Sequence, residues 1–197
     1  MGKKASTFTN MTLTLFVITV VAGISLGYIN QVTEGPIAQA KLQRTTNALN
    51  DVLPEFNNSP IDDMWKLKTE VVKDSIEIYP GMIDGERIGS AIVASSEKGY
   101  NGLIKIMVGF KPDGSIINIR VLEQKETPGL GTKIKNEKFI SQYRDKNPAT
   151  FNLKVKKDKG EVDAITGATI TTRAYSEAVQ LAYDILMENK TQEKTNE

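Results

Sequence analysis

Near the C-terminus, Asp163-Ala164-Ile165-Thr166-Gly167-Ala168-Thr169-Ile170-Thr171-Thr172-Arg173 gathers four threonines around one glycine and one acidic residue. The segment leads into Ala174, Ala178, Leu181, Ala182 and Ile185, whose spacing predicts a helix from about Thr171 to Glu188. Gly167 lets the backbone turn and approach a ligand closely. The helix start behind it leaves N–H groups that favour an anion. Capping is the other reading, because a Ser/Thr cluster before an apolar run commonly serves the first turn. On these residues alone both readings stay open.

Composition narrows the chemistry further. Cysteine and histidine are absent from the 197 residues. That excludes iron–sulfur clusters and structural zinc on their usual ligands, Ser-His-Asp or Cys-His catalysis, and a cofactor fixed through thiol or imidazole. Covalent chemistry is left to hydroxyls, amines and carboxylates. Lys+Arg is 25 against Asp+Glu 24, so no general electrostatic attraction to nucleic acid is expected. Neither a GxGxxG segment after a strand nor a Walker loop is present, and acid/base catalytic residues are not expected.

A second candidate is Glu126-Thr127-Pro128-Gly129-Leu130-Gly131, in which two glycines flank one apolar residue in a polar loop. A leucine presented in this way can pack on a flat ring, with Thr127 at the ring edge. A plain Pro-Gly turn reads equally well.

Several elements must position these two segments. Residues 1–10 are polar and carry Lys3 and Lys4, and 11–29 hold no charge. At 1.5 Å per residue this run reaches about 28 Å, enough to cross a bilayer once. The lysines ahead of it place the N-terminus in the cytoplasm and the remainder outside. A cleaved signal peptide is the alternative, but the apolar run continues beyond a usual signal core and Tyr28 suits an interface. Residues 30–54 read as a stalk or first domain helix closed by Pro54.

Four strands follow, at 71–79, 86–95, 102–110 and 115–124, joined by turn-forming sequences. Ile104, Ile106, Val108 and Phe110 share one face, as do Ile117, Ile119 and Val121, which predicts an antiparallel sheet with one buried side. A short helix at 136–144, a strand at 151–157 and the terminal helix complete a domain over 55–190, with a polar tail at 191–197. The fold class is α+β, one transmembrane helix followed by an extracytoplasmic domain with a mainly antiparallel sheet flanked by helices.

With both loops in view, the chain resembles the covalent-FMN-binding subunits of membrane redox pumps. It is more similar to the G subunit of the Rnf ferredoxin:NAD oxidoreductase complex than to the C subunit of the sodium-translocating NADH:quinone reductase, usually a longer chain. The resemblance rests on the basic N-terminus, the single anchor, the stalk helix, the loop 126–131 and above all the segment 163–169. In that family the pattern is an acidic residue, two variable positions, Ser or Thr, Gly, Ala, then Ser or Thr, and the last hydroxyl carries FMN through a phosphodiester bond installed by a flavin transferase. The resemblance therefore implies Thr169 as attachment residue, with Asp163, Thr166, Gly167 and Ala168 as its recognition segment. It implies Thr127 and Leu130 as flavin contacts, with Glu126, Gly129 and Gly131 in the same loop. Thr171 and Thr172 are expected to be helix caps.

The function so implied is that of an electron-carrying subunit in the cell membrane, working with the A, B, C, D and E subunits while ferredoxin:NAD electron transfer drives Na+ or H+ translocation. A stand-alone membrane-tethered flavoprotein needs the same attachment segment. A pilin-like structural protein shares the leader and apolar helix, but would normally keep a glutamate early in that helix, and 11–29 has none.

Overall fold

The structure is a computed structural model and describes residues 8–69 and 72–195. The chain divides into two compact units between Gln43 and Arg44. The first consists of helix, the greater part of α1 (Phe8–Val52). Anchor and stalk are thus one continuous helix, with Pro36 inside it. Among the described residues α1 is the one helix long and apolar enough to cross a membrane. Its large apolar side chains from Phe8 to Ile29 stand exposed. Thr12, Thr14, Ser25 and Thr33 donate their hydroxyls to carbonyls one turn earlier, which keeps these groups paired within the helix. The lysines at positions 3 and 4 lie outside the described residues.

The second unit is built on a five-stranded antiparallel sheet whose strands lie in chain order: β1 (Trp65–Thr69), β2 (Val72–Ile83), β3 (Glu86–Gly99), β4 (Gly102–Phe110) and β5 (Ile116–Gln124). β1 has no counterpart among the strands expected from the sequence. The turn expected over 80–85 contracts to Asp84 and Gly85, both at positive φ, as a two-residue hairpin requires. β2 instead runs on through Pro80 and Gly81 and shifts register before Met82. Pairing with β1 stops at Ile78, so Pro80 lies where β2 has one neighbour and a missing N–H is tolerated.

The sheet is covered on both sides, not one. Ile78, Ile92, Ile106, Val108 and Phe110 pack under the terminal helix α3 (Thr169–Thr195), which contributes Ala174, Tyr175, Ala178, Val179, Ala182 and Ile185. On the opposite face Tyr79, Ala91, Val93 and Met107 are covered by Ala48, Leu49, Val52 and Leu53 at the end of α1. β5 departs from simple alternation. Its register shifts opposite Gly109/Phe110, so Ile116 and Ile119 are the fully buried residues and Ile117 is half-buried.

Two other expectations are corrected. The helix over 136–144 reduces to α2 (Glu137–Ile140), preceded by a 3-10 turn at Gly131–Lys135 and followed by turns. No strand forms over 151–157. Val155 makes one isolated bridge to Val162, and Lys156–Asp158 is a 3-10 turn. Asn152 explains this locally: its side chain accepts from Lys154 N and donates to the Lys159 carbonyl, and its N–H goes to the Glu161 carboxylate, so backbone groups are satisfied without a neighbouring strand.

Candidate functional site

Two β-turns, each with a glycine at positive φ in its third position, bring the two candidate segments together. In the first, Leu130 N donates to the Thr127 carbonyl at 3.2 Å, with Pro128 and Gly129 (φ 77°) between. This is the sequence preference of a type II turn. In the second, Ala168 N donates to the Ile165 carbonyl at 2.9 Å across Thr166 and Gly167 (φ 78°). A Cβ on Gly167 would stand 3.2 Å from Leu130 Cδ2, so Leu130 lies against the bare face of Gly167. Leu130 remains 43% exposed and offers its outer side to solvent.

Glu126 holds this arrangement from beneath. It is 5% exposed, and its oxygens accept from two distant parts of the chain. Oε2 takes the Thr171 hydroxyl at 2.7 Å and Oε1 takes Asn101 N, in the β3–β4 turn, at 3.1 Å. Charge-assisted bonds of this kind are worth more than neutral ones, and a buried carboxylate needs them. Gly131 passes so close that a Cβ there would meet Glu126 Oε2 at 2.6 Å. Thr127 Oγ1 accepts from Asn101 Nδ2 at 3.4 Å, a second link to the β3–β4 turn.

The four threonines divide by their bonds. Thr171 is no cap, since its hydroxyl reaches Glu126 rather than a helix-end N–H. Thr172 Oγ1 accepts from Ile165 N at 3.1 Å and donates to the Ala168 carbonyl at 3.0 Å, which closes the turn before α3. Among the described residues the hydroxyls of Thr166 and Thr169 engage no protein partner. Thr166 is exposed, and Thr169, half-buried, is the first residue of α3, which begins two residues earlier than its apolar spacing predicts.

Charges around Thr169 come in pairs. Asp163 is exposed, and its carboxylate lies 2.7 Å from Lys156 Nζ. The Asp163 backbone is held through both ends of the Gln142 amide, N–H to Oε1 at 2.8 Å and carbonyl from Nε2 at 3.4 Å. One turn into α3, Arg173 grips Asp158 with two hydrogen bonds, which hold the Asp158 carboxyl below its ordinary range. Ala168 is buried and Gly129 exposed. Thus Thr127, Leu130 and Gly167 are brought together, with Thr169 two residues beyond Gly167 in the chain, whereas Glu126 is buried. Sequence reasoning misses Asn101, Gln142 and the Thr171 bond, because partners 21 to 45 residues apart leave no local signature.

The residues fit a phosphate-bearing, ring-containing group: an unengaged hydroxyl at a helix start, two residues after the glycine on which a half-exposed leucine rests. Residues 99–184 match the model of the FMN-binding domain family. The chain is 32% identical over 183 residues to the G subunit of the Na(+)-translocating ferredoxin:NAD(+) oxidoreductase complex of Acetobacterium woodii, covering 88% of each protein. It is 35% identical over 188 residues to the G subunit of the ion-translocating oxidoreductase complex of Vibrio atlanticus, again over 88% of each. The crystal structure of Shewanella oneidensis NqrC aligns with a TM-score of 0.46 at 22% identity, over 61% of this chain and 63% of that one. Identity at this level along nearly the whole length shows that the chain belongs to the family of G subunits of ion-translocating oxidoreductase complexes.

Proposed function

We propose that this chain is the electron-transfer flavoprotein subunit of a membrane-bound ferredoxin:NAD oxidoreductase, with FMN held through a phosphodiester bond on Thr169. The observation that carries the reading is the division of the threonines. Of the two hydroxyls left unengaged, that of Thr169 sits at the first residue of α3, where helix N–H groups and dipole stabilise a phosphate. Bound there, the flavin supplies the electron-accepting and electron-donating chemistry, which no side chain of this composition offers.

The protein's part is placement. Leu130 packs against Gly167 and presents an apolar surface beside the attachment residue. Thr127 lies at the edge of the same loop and is fixed from the β3–β4 turn by Asn101. Glu126 acts as scaffold, keeping loop and helix in register. Asp163, exposed and oriented through Gln142, is available to a flavin transferase that installs FMN from FAD.

α1 tethers this unit to the membrane, and Lys3 and Lys4 ahead of the apolar run put the domain on the extracytoplasmic side. The partners are then the other members of the complex, A to E, and its electron flow is coupled to Na+ or H+ translocation.

The test is ultraviolet fluorescence of the denatured full chain in a gel after co-expression with a flavin transferase. A bright wild-type band, a dark Thr169→Ala band and a bright Thr171→Val band are expected. A dark wild-type band sinks the covalent reading, and a bright Thr169→Ala band means that another hydroxyl is used.

A further inference from the structure

Toward the end of α3 away from Thr169 lies a cleft of about 330 Å³. Arg87 and Ser90 of β3, Lys111 and Pro112 beyond β4, and Leu186 and Lys190 of α3 line it, and no acidic residue does. Contacts join these residues into a ring. The Arg87 guanidinium stands over Trp65, 5.2 Å from the ring centroid, and Trp65 Nε1 donates to Asn189 Oδ1 at 3.2 Å. The next residue, Lys190, donates through Nζ to the Pro112 carbonyl at 2.7 Å, and Lys111 adjoins Pro112. Ser90 pairs with Phe110 across the sheet, so β3 meets the same corner from the neighbouring strand.

Ser90 is the residue that points to a ligand. It is 6% exposed, and among the described residues its hydroxyl has no hydrogen-bond partner. A buried hydroxyl left without a partner costs free energy, so folds normally supply one. The nearby carboxylates are committed: Asp145 lies 2.7 Å from Lys111 Nζ, and both Asp113 oxygens accept from Ser115.

We infer that this cleft binds a phosphate group, with Arg87, Lys111 and Lys190 supplying charge and the Ser90 hydroxyl a neutral donor. Donors that converge from β3, the end of β4 and α3 suit a tetrahedral oxyanion, whose acceptors diverge, better than a planar carboxylate. Guanidinium and ammonium groups are both established phosphate partners, the first through paired N–H donors and the second as a point charge. Free phosphate and the phosphomonoester headgroup of an anionic lipid present this same chemistry. The inference is independent of the flavin reading, because Lys190 lies roughly 31 Å along α3 from Thr169 at 1.5 Å per residue.

Trp65 is the single tryptophan of the chain, so its emission reports from the site. The full chain in detergent is titrated with inorganic phosphate at constant ionic strength, with acetate as the planar comparison, and phosphorus-31 line broadening measures the same affinity without the indole. A saturable emission shift with phosphate is expected, with affinity severalfold weaker in Ser90→Ala and in Lys111→Gln. Lys98→Gln, whose ammonium meets Glu177 outside the cleft, should equal wild type. Arg87 is kept in every variant, because its place over the indole carries the signal. Absence of phosphate binding in both measurements, an equal response to acetate, or wild-type affinity in both Ser90→Ala and Lys111→Gln overturns the inference. Nanodiscs without free phosphate then separate the sources. An emission shift when phosphatidic acid replaces phosphatidylcholine assigns the site to a lipid headgroup, and no shift there, beside a response to phosphate, assigns it to the free anion.

Discussion

Thr171 donates its hydroxyl to Glu126 Oε2 at 2.7 Å, joining the first turn of α3 to the loop that follows β5. Thr171 is 1% exposed, so no water can take its place. Thr171→Val keeps the shape and removes the donor, and the carboxylate oxygen left unpaired should cost about 1–3 kcal/mol. The thermal unfolding midpoint of the full chain in detergent, followed by circular dichroism, measures this loss. An unchanged midpoint would mean that the bond contributes nothing.

Gly131 and Gly129 should respond differently to the same substitution. Gly131→Ala drives a methyl into Glu126, 2.6 Å from Oε2, and overpacking of this kind costs about 1–3 kcal/mol. Gly129→Ala meets nothing within 4 Å, and its penalty is the positive φ alone, on the order of 1 kcal/mol. With FMN held as proposed, native flavin emission should change for Gly131→Ala as well as stability, because the adjoining Leu130 is displaced. Equal behaviour of the two variants in both measurements would count against a close approach at Gly131.

Gly109, in β4, lies under the last turn of α1, where a Cβ would overlap the Val52 carbonyl. Gly109→Ala must lift the helix end from the sheet and uncover Val93 and Met107. The expected loss exceeds about 3 kcal/mol, by comparison with large core disruptions. Protease sensitivity after residue 52 should rise in step with the fall in midpoint. A variant as resistant as wild type would refute this packing.

With FMN carried on Thr169 as proposed, Leu130→Ala should leave attachment intact and alter the ring's surroundings. The denatured band stays as bright as wild type, while the visible absorption spectrum or the midpoint potential of the native protein shifts. A native spectrum and potential identical to wild type would place the ring elsewhere.

Legibility in the sequence follows distance along the chain. The alternation of Ile104, Ile106, Val108 and Phe110 and the turn residues between strands reveal β2 to β5, because hairpins are local objects. The stripe from Ala174 to Ile185 reveals α3 for the same reason. β1 escapes, being a five-residue strand whose pairing depends on β2. The second buried face escapes because its cover, Ala48 to Leu53, comes from a helix distant in sequence from β4. At the site, both glycine turns can be read, while the Glu126 contacts with Asn101 and Thr171 cannot. The family resemblance implies Glu126 as a flavin neighbour, and what the fold adds is that its carboxylate is buried and bonded to Asn101 and Thr171.

Chain-ordered strands carry a consequence for biogenesis. Each strand pairs with its predecessor, so the sheet can zip hairpin by hairpin as it emerges, with little loop entropy to overcome at any step. α3 follows all five strands in the chain, and until it lies down, the face bearing Ile92, Ile106 and Val108 has no lid. Thr169, the acceptor proposed above, therefore takes its place in the step that closes the core. A transferase that requires the finished turn would read out completed folding, and flavin loading would serve as a seal on chains whose sheet is already covered.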